Sequence, residues 1–376
     1  MNRLLLATSQ YAPETGGVPN LLWTFSRLCP ADITLRVLSV QQQPAPFYAD
    51  FDAQLPFVVE RVPPQRGAGA TSLAFAWRLR RLLADWRPDV LFCGVAYPTA
   101  VLGHLARFGR NIPLVVYAHS EDVTISRPVQ RQALALALRQ ATAVLTVSQF
   151  TQSHLRQLGV PANRIHLAPP GIETEPFTTA RPHPGWPGKW VILTVARLVA
   201  RKGQDAVIRA LPHLLPHVPH AHYVIVGGGP DEAYLRHLAA DLGVADHVTF
   251  AGRVADADLP AYYARCDVFA MLTRPGGDEV EGFGITFLEA GAAGKPVIGG
   301  RAGGAVDAVQ DGVTGLLVDP LDVAAIAANL TKLAQQPALA AQMGRAGRER
   351  ALESYTDQAF MGRVMAVLAP TRVNMA

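Results

Sequence analysis

Val280-Glu281-Gly282-Phe283-Gly284-Ile285-Thr286-Phe287-Leu288-Glu289-Ala290-Gly291 is the stretch around which the rest of the chain can be read. Two carboxylates bracket a turn punctuated by glycines, and the turn opens into a run rich in Ala, Leu and Phe. Gly282 and Gly284 suit the left-handed or closely approached backbone of a tight loop, so a helix is expected to begin near Gly284. The first amides of that helix, at Gly284, Ile285 and Thr286, have no acceptor within it and lie at the positive end of its dipole, which suits an anion such as a diphosphate. Glu281 then lies in the loop on one side and Glu289 in the helix on the other, both able to accept from sugar hydroxyls. A solvated acidic loop with a capping turn has the same spacing, so the pattern alone leaves both readings open.

Outward from this stretch the chain alternates short apolar runs with amphipathic ones, the signature of parallel sheets covered on both faces. Strands are predicted near 3–8, 33–40, 58–62, 90–93, 114–117, 143–147 and 165–167, with helices near 18–28, 72–86, 99–108, 128–140 and 149–158. The proline-rich stretch 168–187 carries no apolar periodicity and reads as a linker. A second series follows, with strands at 190–195, 222–226, 248–251, 268–272, 296–299 and 315–318 and helices at 204–215, 231–242, 257–264, 323–334, 338–353 and 355–368. Two doubly wound α/β domains are therefore expected, spanning 1–173 and 174–354. A chain of 376 residues with 49% hydrophobic and 17% charged residues has ample core material for both.

Charge is uneven. Residues 1–173 hold 16 Arg, no Lys and 10 acidic residues, a net of +6, whereas the remainder carries −2. A basic first half suits an anionic membrane or an anionic acceptor, and nothing in it reads as a nucleic-acid module. The stretch 73–86 sets Phe75, Trp77, Leu79, Leu82, Leu83 and Trp86 among Arg78, Arg80 and Arg81. It suits either a sheet-covering helix or one lying on a membrane surface. Cys29, Cys93 and Cys266 are far apart and without metal spacing, which fits a reducing cytoplasm. The run Leu4-Leu5-Leu6-Ala7 is too short for a secretory leader, and no stretch reaches the roughly 18 apolar residues of a spanning helix.

Chemistry-bearing residues fall just after predicted strands, where open α/β sheets place ligands. Gly16-Gly17 lies between the first strand and its helix, without the G-x-G-x-x-G of a dinucleotide site. His119 follows the strand at 114–117. Arg197 and Lys202 follow the strand at 190–195 and suit a diphosphate, one as a fork and one as a point charge. Gly227-Gly228-Gly229-Pro230 and Gly252-Arg253-Val254 follow the next two strands. Asp256-Ala257-Asp258 has the look of a metal-binding pair, but it precedes a helix, where Asp serves as a cap, so no metal site is assigned.

Glu281 to Glu289, continued by Gly294-Lys295-Pro296-Val297-Ile298 and Gly303-Gly304, resembles the Glu-(seven residues)-Glu region of the retaining GT-B glycosyltransferases of family 4. Val280 to Ile285 most resembles the subgroup of phosphatidylinositol mannosyltransferases and related polyisoprenoid or glycolipid enzymes. The resemblance implies two Rossmann-like domains facing a central cleft, with a final helix over 355–376 packing back on the first. It implies that Arg197, Lys202 and the 284–286 amides hold the donor diphosphate, that Glu289 accepts from the ribose, and that Glu281 orients the sugar. It further implies that Gly16, Gly17, Gly229, Arg253, Val254 and Phe283 line the donor and that His119 meets the transferred sugar. The family commonly has glycine after this histidine; Ser120 departs from that. The implied co-substrate is a nucleotide diphosphate sugar, GDP-mannose or alternatively a UDP-sugar, with no cofactor required. The implied acceptor is a hydroxyl of a lipid-linked or other glycan, reached from the cytoplasmic face of a membrane. A nucleotide-sugar epimerase and a non-catalytic membrane-surface protein are the readings from other classes.

Overall fold

A computed structural model describes residues 2–276 and 280–369. These form two compact units, one of residues 2–171 with 357–369 and the other of the described residues between 172 and 356, each built on one fully parallel sheet. The last residues of the expected C-terminal helix, 370–376, lie outside the described residues.

The first unit carries strands β1 (Arg3–Thr8), β2 (Thr34–Val40), β3 (Val58–Val62), β4 (Val90–Cys93), β5 (Leu114–Ala118), β6 (Ala143–Thr146) and β7 (Ile165–Leu167) in the spatial order β3-β2-β1-β4-β5-β6-β7. β4, β5 and β6 are buried at every position, which is why they read as continuous apolar runs rather than alternating ones. Helix Ala68–Asp85 turns Phe75, Leu79, Leu82 and Leu83 into the core at helical spacing. That makes it a sheet-covering helix, yet it leaves Leu73 and Trp77 73% and 60% exposed. The C-terminal helix Asp357–Leu368 belongs to this unit: Phe360 stacks on Tyr117 at 6.3 Å and Asp357 pairs with Arg27 at 3.0 Å.

The second unit orders its strands β10-β9-β8-β11-β12-β13, with β8 (Trp190–Val195), β9 (Ala221–Val226), β10 (Val248–Gly252), β11 (Val268–Met271), β12 (Val297–Gly300) and β13 (Gly315–Val318). The proline-rich stretch differs from the linker expectation. From Ile172 onward it lies on the second unit, with helix Glu175–Thr179 setting Phe177 edge-on to Tyr263 at 5.4 Å. The His183 amide donates to Ala261 O at 2.9 Å and Trp186 Nε1 to Thr249 Oγ1 at 3.2 Å. The aromatic residues scattered among its prolines give the stretch a surface to bury. In both sheets strand order reverses beside the first strand, between β1 and β4 and between β8 and β11, and ligands of open α/β sheets bind beyond the strand ends at such reversals.

Candidate functional site

At the β8/β11 reversal the second unit gathers charge. The chain leaving β8 passes Arg197 and makes a short turn, Ala200–Lys202, that ends at Gly203. Gly203 has φ 71°, and a Cβ there would stand 2.1 Å from Leu272 O just past β11, so only glycine lets the turn lie against the strand end. The turn delivers Arg201 and Lys202 to Glu281: the Lys202 ammonium donates to Glu281 Oε2, and Arg201 Nη1 stands 3.4 Å from the same oxygen. Burial pushes the Glu281 carboxyl up, but Lys202, Arg201 and then Arg197 outweigh it and hold the group below its ordinary value. Three cations thus face one carboxylate, leaving the cluster net positive, with Arg197 itself exposed.

Helix Ile285–Ala292 begins where expected. Gly284 is its N-cap at φ 93°, and no side chain caps that end, so the helix presents backbone amides and its positive dipole end. Ile285 and Thr286 form its first turn, half-buried. Phe283 is buried and packs on Tyr355 at 5.6 Å, which leaves backbone rather than ring available at that position. Glu289, one turn on, has no cation beside it among the described residues. Its Oε2 accepts from the Tyr263 hydroxyl at 2.5 Å, and burial, with Asp256 adding repulsion, pushes its carboxyl up to about 7. Gly229 lies so close under Leu198 that a Cβ would meet Leu198 O at 2.3 Å. Arg253 is exposed past the end of β10 and Val254 half-buried beside it. Asp258 takes the N-cap position of helix Leu259–Arg265 as expected, but its side chain makes no capping bond.

In the first unit, His119 leaves β5 and points its ring at the end of β4, with Nε2 3.0 Å from Gly94 O. A carbonyl only accepts, so Nε2 carries the proton and Nδ1 is left as an acceptor. Burial lowers the ring's pKa to about 4 against the pull of that carbonyl, and the imidazole is neutral at physiological pH. Asp122, buried, accepts from the backbone of His119 at 2.7 Å and of Ala96 at 2.6 Å. Ser120, which stands where glycine is common, hydrogen-bonds Thr151 at 2.9 Å. Gly16 caps helix Gly17–Arg27, and the loop before it is braced by Arg61 donating to Ala12 O and by Tyr48 donating to Glu14.

The structure thus assembles Arg197, Lys202, Glu281 and the start of the 285–292 helix at one strand-end cluster. Three residues that spacing did not single out are partners of the expected ones: Arg201 and Tyr263 in the second unit, and Asp122 beside His119 in the first. Arg201 sits beside Lys202 in sequence and Asp122 three residues past His119, so a helical or turn spacing could have flagged them. Tyr263 reaches Glu289 across 26 residues, and no local pattern carries that contact.

This arrangement, two doubly wound units with an anion-suited cluster beyond the strands of the second, is that of a GT-B glycosyltransferase. Residues 15–176 match the family model described as Glycosyltransferase Family 4, and residues 177–350 match Glycosyl transferases group 1. The GDP-mannose-dependent alpha-(1-6)-phosphatidylinositol monomannoside mannosyltransferase of Mycolicibacterium smegmatis is 37% identical, covering 98% of this chain and 99% of its own. The protein of the same description from Mycobacterium tuberculosis H37Rv is 38% identical over 93% of each. Among solved structures, Anabaena HepE in complex with UDP has a TM-score of 0.82 at 22% identity, over 98% of this chain and 100% of that one. Sucrose-phosphate synthase from Thermosynechococcus elongatus scores 0.82 at 22% identity, over 98% and 99%. The chain belongs to glycosyltransferase family 4, and its activity is hexosyl transfer.

Proposed function

We propose that the chain transfers mannose from GDP-mannose, with retention of configuration, to a hydroxyl of a phosphatidylinositol-linked mannoside. The observation that carries this reading is the near full-length match, at 37–38% identity, to relatives whose names specify that donor and that class of acceptor. The likeness to the UDP-bound structure, at 22% identity, speaks to the fold alone, so a UDP-sugar remains the competing donor to be tested.

In this reading the net positive cluster binds the diphosphate. Arg197, Lys202 and the amides at 284–286 stabilise the charge that grows on it as the glycosidic bond breaks. Glu281 is relieved of Lys202 when the diphosphate takes that ammonium, and its freed oxygen accepts from sugar hydroxyls. Glu289 accepts from the ribose. His119 offers a neutral Nδ1 acceptor to the transferred sugar. The acceptor attacks from the face the diphosphate leaves, and the departing phosphate oxygen takes the acceptor's proton, so no covalent nucleophile is needed. No cofactor or metal enters: the cations supply the counter-charge.

Peripheral membrane contact at the cytoplasmic face is part of the same proposal. Among the described residues no helix is long and apolar enough to cross a membrane. Helix Ala68–Asp85, in contrast, exposes Leu73 and Trp77, and Arg81 lies 4.9 Å over the Trp77 ring.

A thermal-shift panel of GDP, UDP, ADP and NAD, with Glu289→Ala as control, tests the donor, since a ligand of the native state raises stability with the logarithm of its saturation. Selective stabilisation by GDP that the variant loses is the expected result. Selective stabilisation by UDP would replace the donor, and stabilisation by NAD alone would overturn the reading.

A further inference from the structure

Glu281 and Glu289 are both carboxylates of the central motif, but their surroundings differ. Glu281 has two cations in contact. Among the described residues Glu289 has none, and its one hydrogen-bond partner there is a phenol. Tyr263 is fully buried, fixed edge-on by Phe177 and packed on Phe269 at 5.6 Å. A buried phenol needs an acceptor, and a backbone carbonyl would serve at less cost than a carboxylate with no counter-charge. Asp256, the other charged group facing Glu289, makes ionisation harder. Among the described residues nothing donates to Glu289 Oε1. An ionised carboxylate has about four acceptor positions, and here one is filled from within the protein while the rest await donors.

We propose that Tyr263 is a positioning residue for donor binding: its hydroxyl holds Oε2 of Glu289 so that Oε1 faces the vicinal hydroxyls of the donor ribose. The inference rests on Glu289 being the ribose acceptor. Tyr263 touches no substrate. Its rigid ring sets the plane of the carboxylate before the nucleotide arrives, and so removes rotamer freedom that binding would otherwise have to freeze. The ribose hydroxyls then bring the donors that make the ionised form of Glu289 favourable.

The test is Tyr263→Phe, which keeps the ring and its packing and removes the donor. KM for GDP-mannose should rise about ten-fold, the scale of one hydrogen bond to a charged group, with kcat within about two-fold of wild type. The discriminating readout is ligand-side. GDP should bind the variant about ten-fold more weakly, while a dideoxy-GDP lacking both ribose hydroxyls should bind variant and wild type alike, because the interaction being lost is no longer there to lose. Equal weakening of both nucleotides would make Tyr263 a structural residue only and overturn the proposal. No weakening of either, with Glu289→Ala still losing GDP, would overturn the positioning role and leave the ribose reading intact. No effect of Glu289→Ala would remove the ribose reading itself. Should Tyr263→Phe fail to fold, para-fluorophenylalanine at position 263, which fills the hydroxyl's space and donates nothing, carries the same expectations.

Discussion

Single side chains in the second unit carry opposite electrostatic signatures, and pH separates them. Glu289 has an ordinary value of 4.5 and is pushed to about 7 in the folded chain by burial. Between those values the folded state holds a proton that the unfolded state has lost, so this group's contribution to stability falls as pH rises from about 4.5 to about 7. Glu289→Gln lacks the term. In ligand-free melts the Tm of the variant minus that of wild type should therefore widen with rising pH across that window; a flat difference would contradict the burial of Glu289. Glu281 behaves in the reverse sense, being held ionised by Lys202 and Arg201. Lys202→Ala removes a cation from the leaving group's place and is expected to lower kcat about 100-fold, the scale of one lost electrostatic stabiliser. Steady-state kinetics with saturating donor check it; an unchanged kcat with raised KM would reduce Lys202 to a binding role. The placement of Lys202 after β8, Glu281 before the helix and Glu289 within it was legible in the sequence because their spacing to strands and glycines is local. The burial of the Phe283 ring was not: it packs on Tyr355, a contact set by the chain 72 residues on.

Elements that place these side chains depend on where backbones touch. Gly203 and Gly243 both have positive φ, 71° and 68°, but a Cβ at Gly203 would strike Leu272 O whereas nothing lies within 4 Å at Gly243. Gly243→Ala should cost about 1–2 kcal/mol, the left-handed penalty alone, and leave GDP affinity unchanged. Gly203→Ala should cost more and weaken GDP binding, because the turn carrying Arg201 and Lys202 must shift. Denaturant melts and a GDP titration of both variants check the pair, and equal effects on affinity would contradict the placement of the turn. Strands and long amphipathic helices were legible because their apolar periods are strong. Helix Pro46–Ala53 was not foreseen: among its residues only Tyr48 is buried, so no stripe announced it. The helix predicted over 99–108 is a short α-helix, Val101–Ala106, preceded by an irregular turn with non-helical Tyr97, where Pro98 removes a donor.

Across the whole molecule the asymmetry of charge and of exposed apolar surface falls on the first unit. Of the three arginines in helix Ala68–Asp85, Arg78 is engaged by Glu60, while Arg80 donates to the carbonyls of Ala106 and Phe108 and the exposed Arg81 lies over Trp77, 3.9 Å from the exposed Asp85 carboxylate. Leu105 and Phe108, on the neighbouring turn, are exposed as well. Replacing Arg80 and Arg81 with Gln should weaken binding to anionic vesicles by about 2 kcal/mol, roughly 30-fold, at about 1 kcal/mol per arginine near such a surface, without altering the GDP-induced thermal shift. Vesicle co-sedimentation reads the first and melting the second; unchanged sedimentation would remove this helix from membrane contact.

Transfer itself is the decisive measurement: labelled GDP-mannose incubated with phosphatidylinositol monomannoside in detergent, and the mannosylated lipid counted for wild type and for Glu281→Ala. Product from the wild type and at least about 100-fold less from the variant is the expected result. Equal turnover in the two, or turnover with a UDP-sugar and none with GDP-mannose, would contradict it.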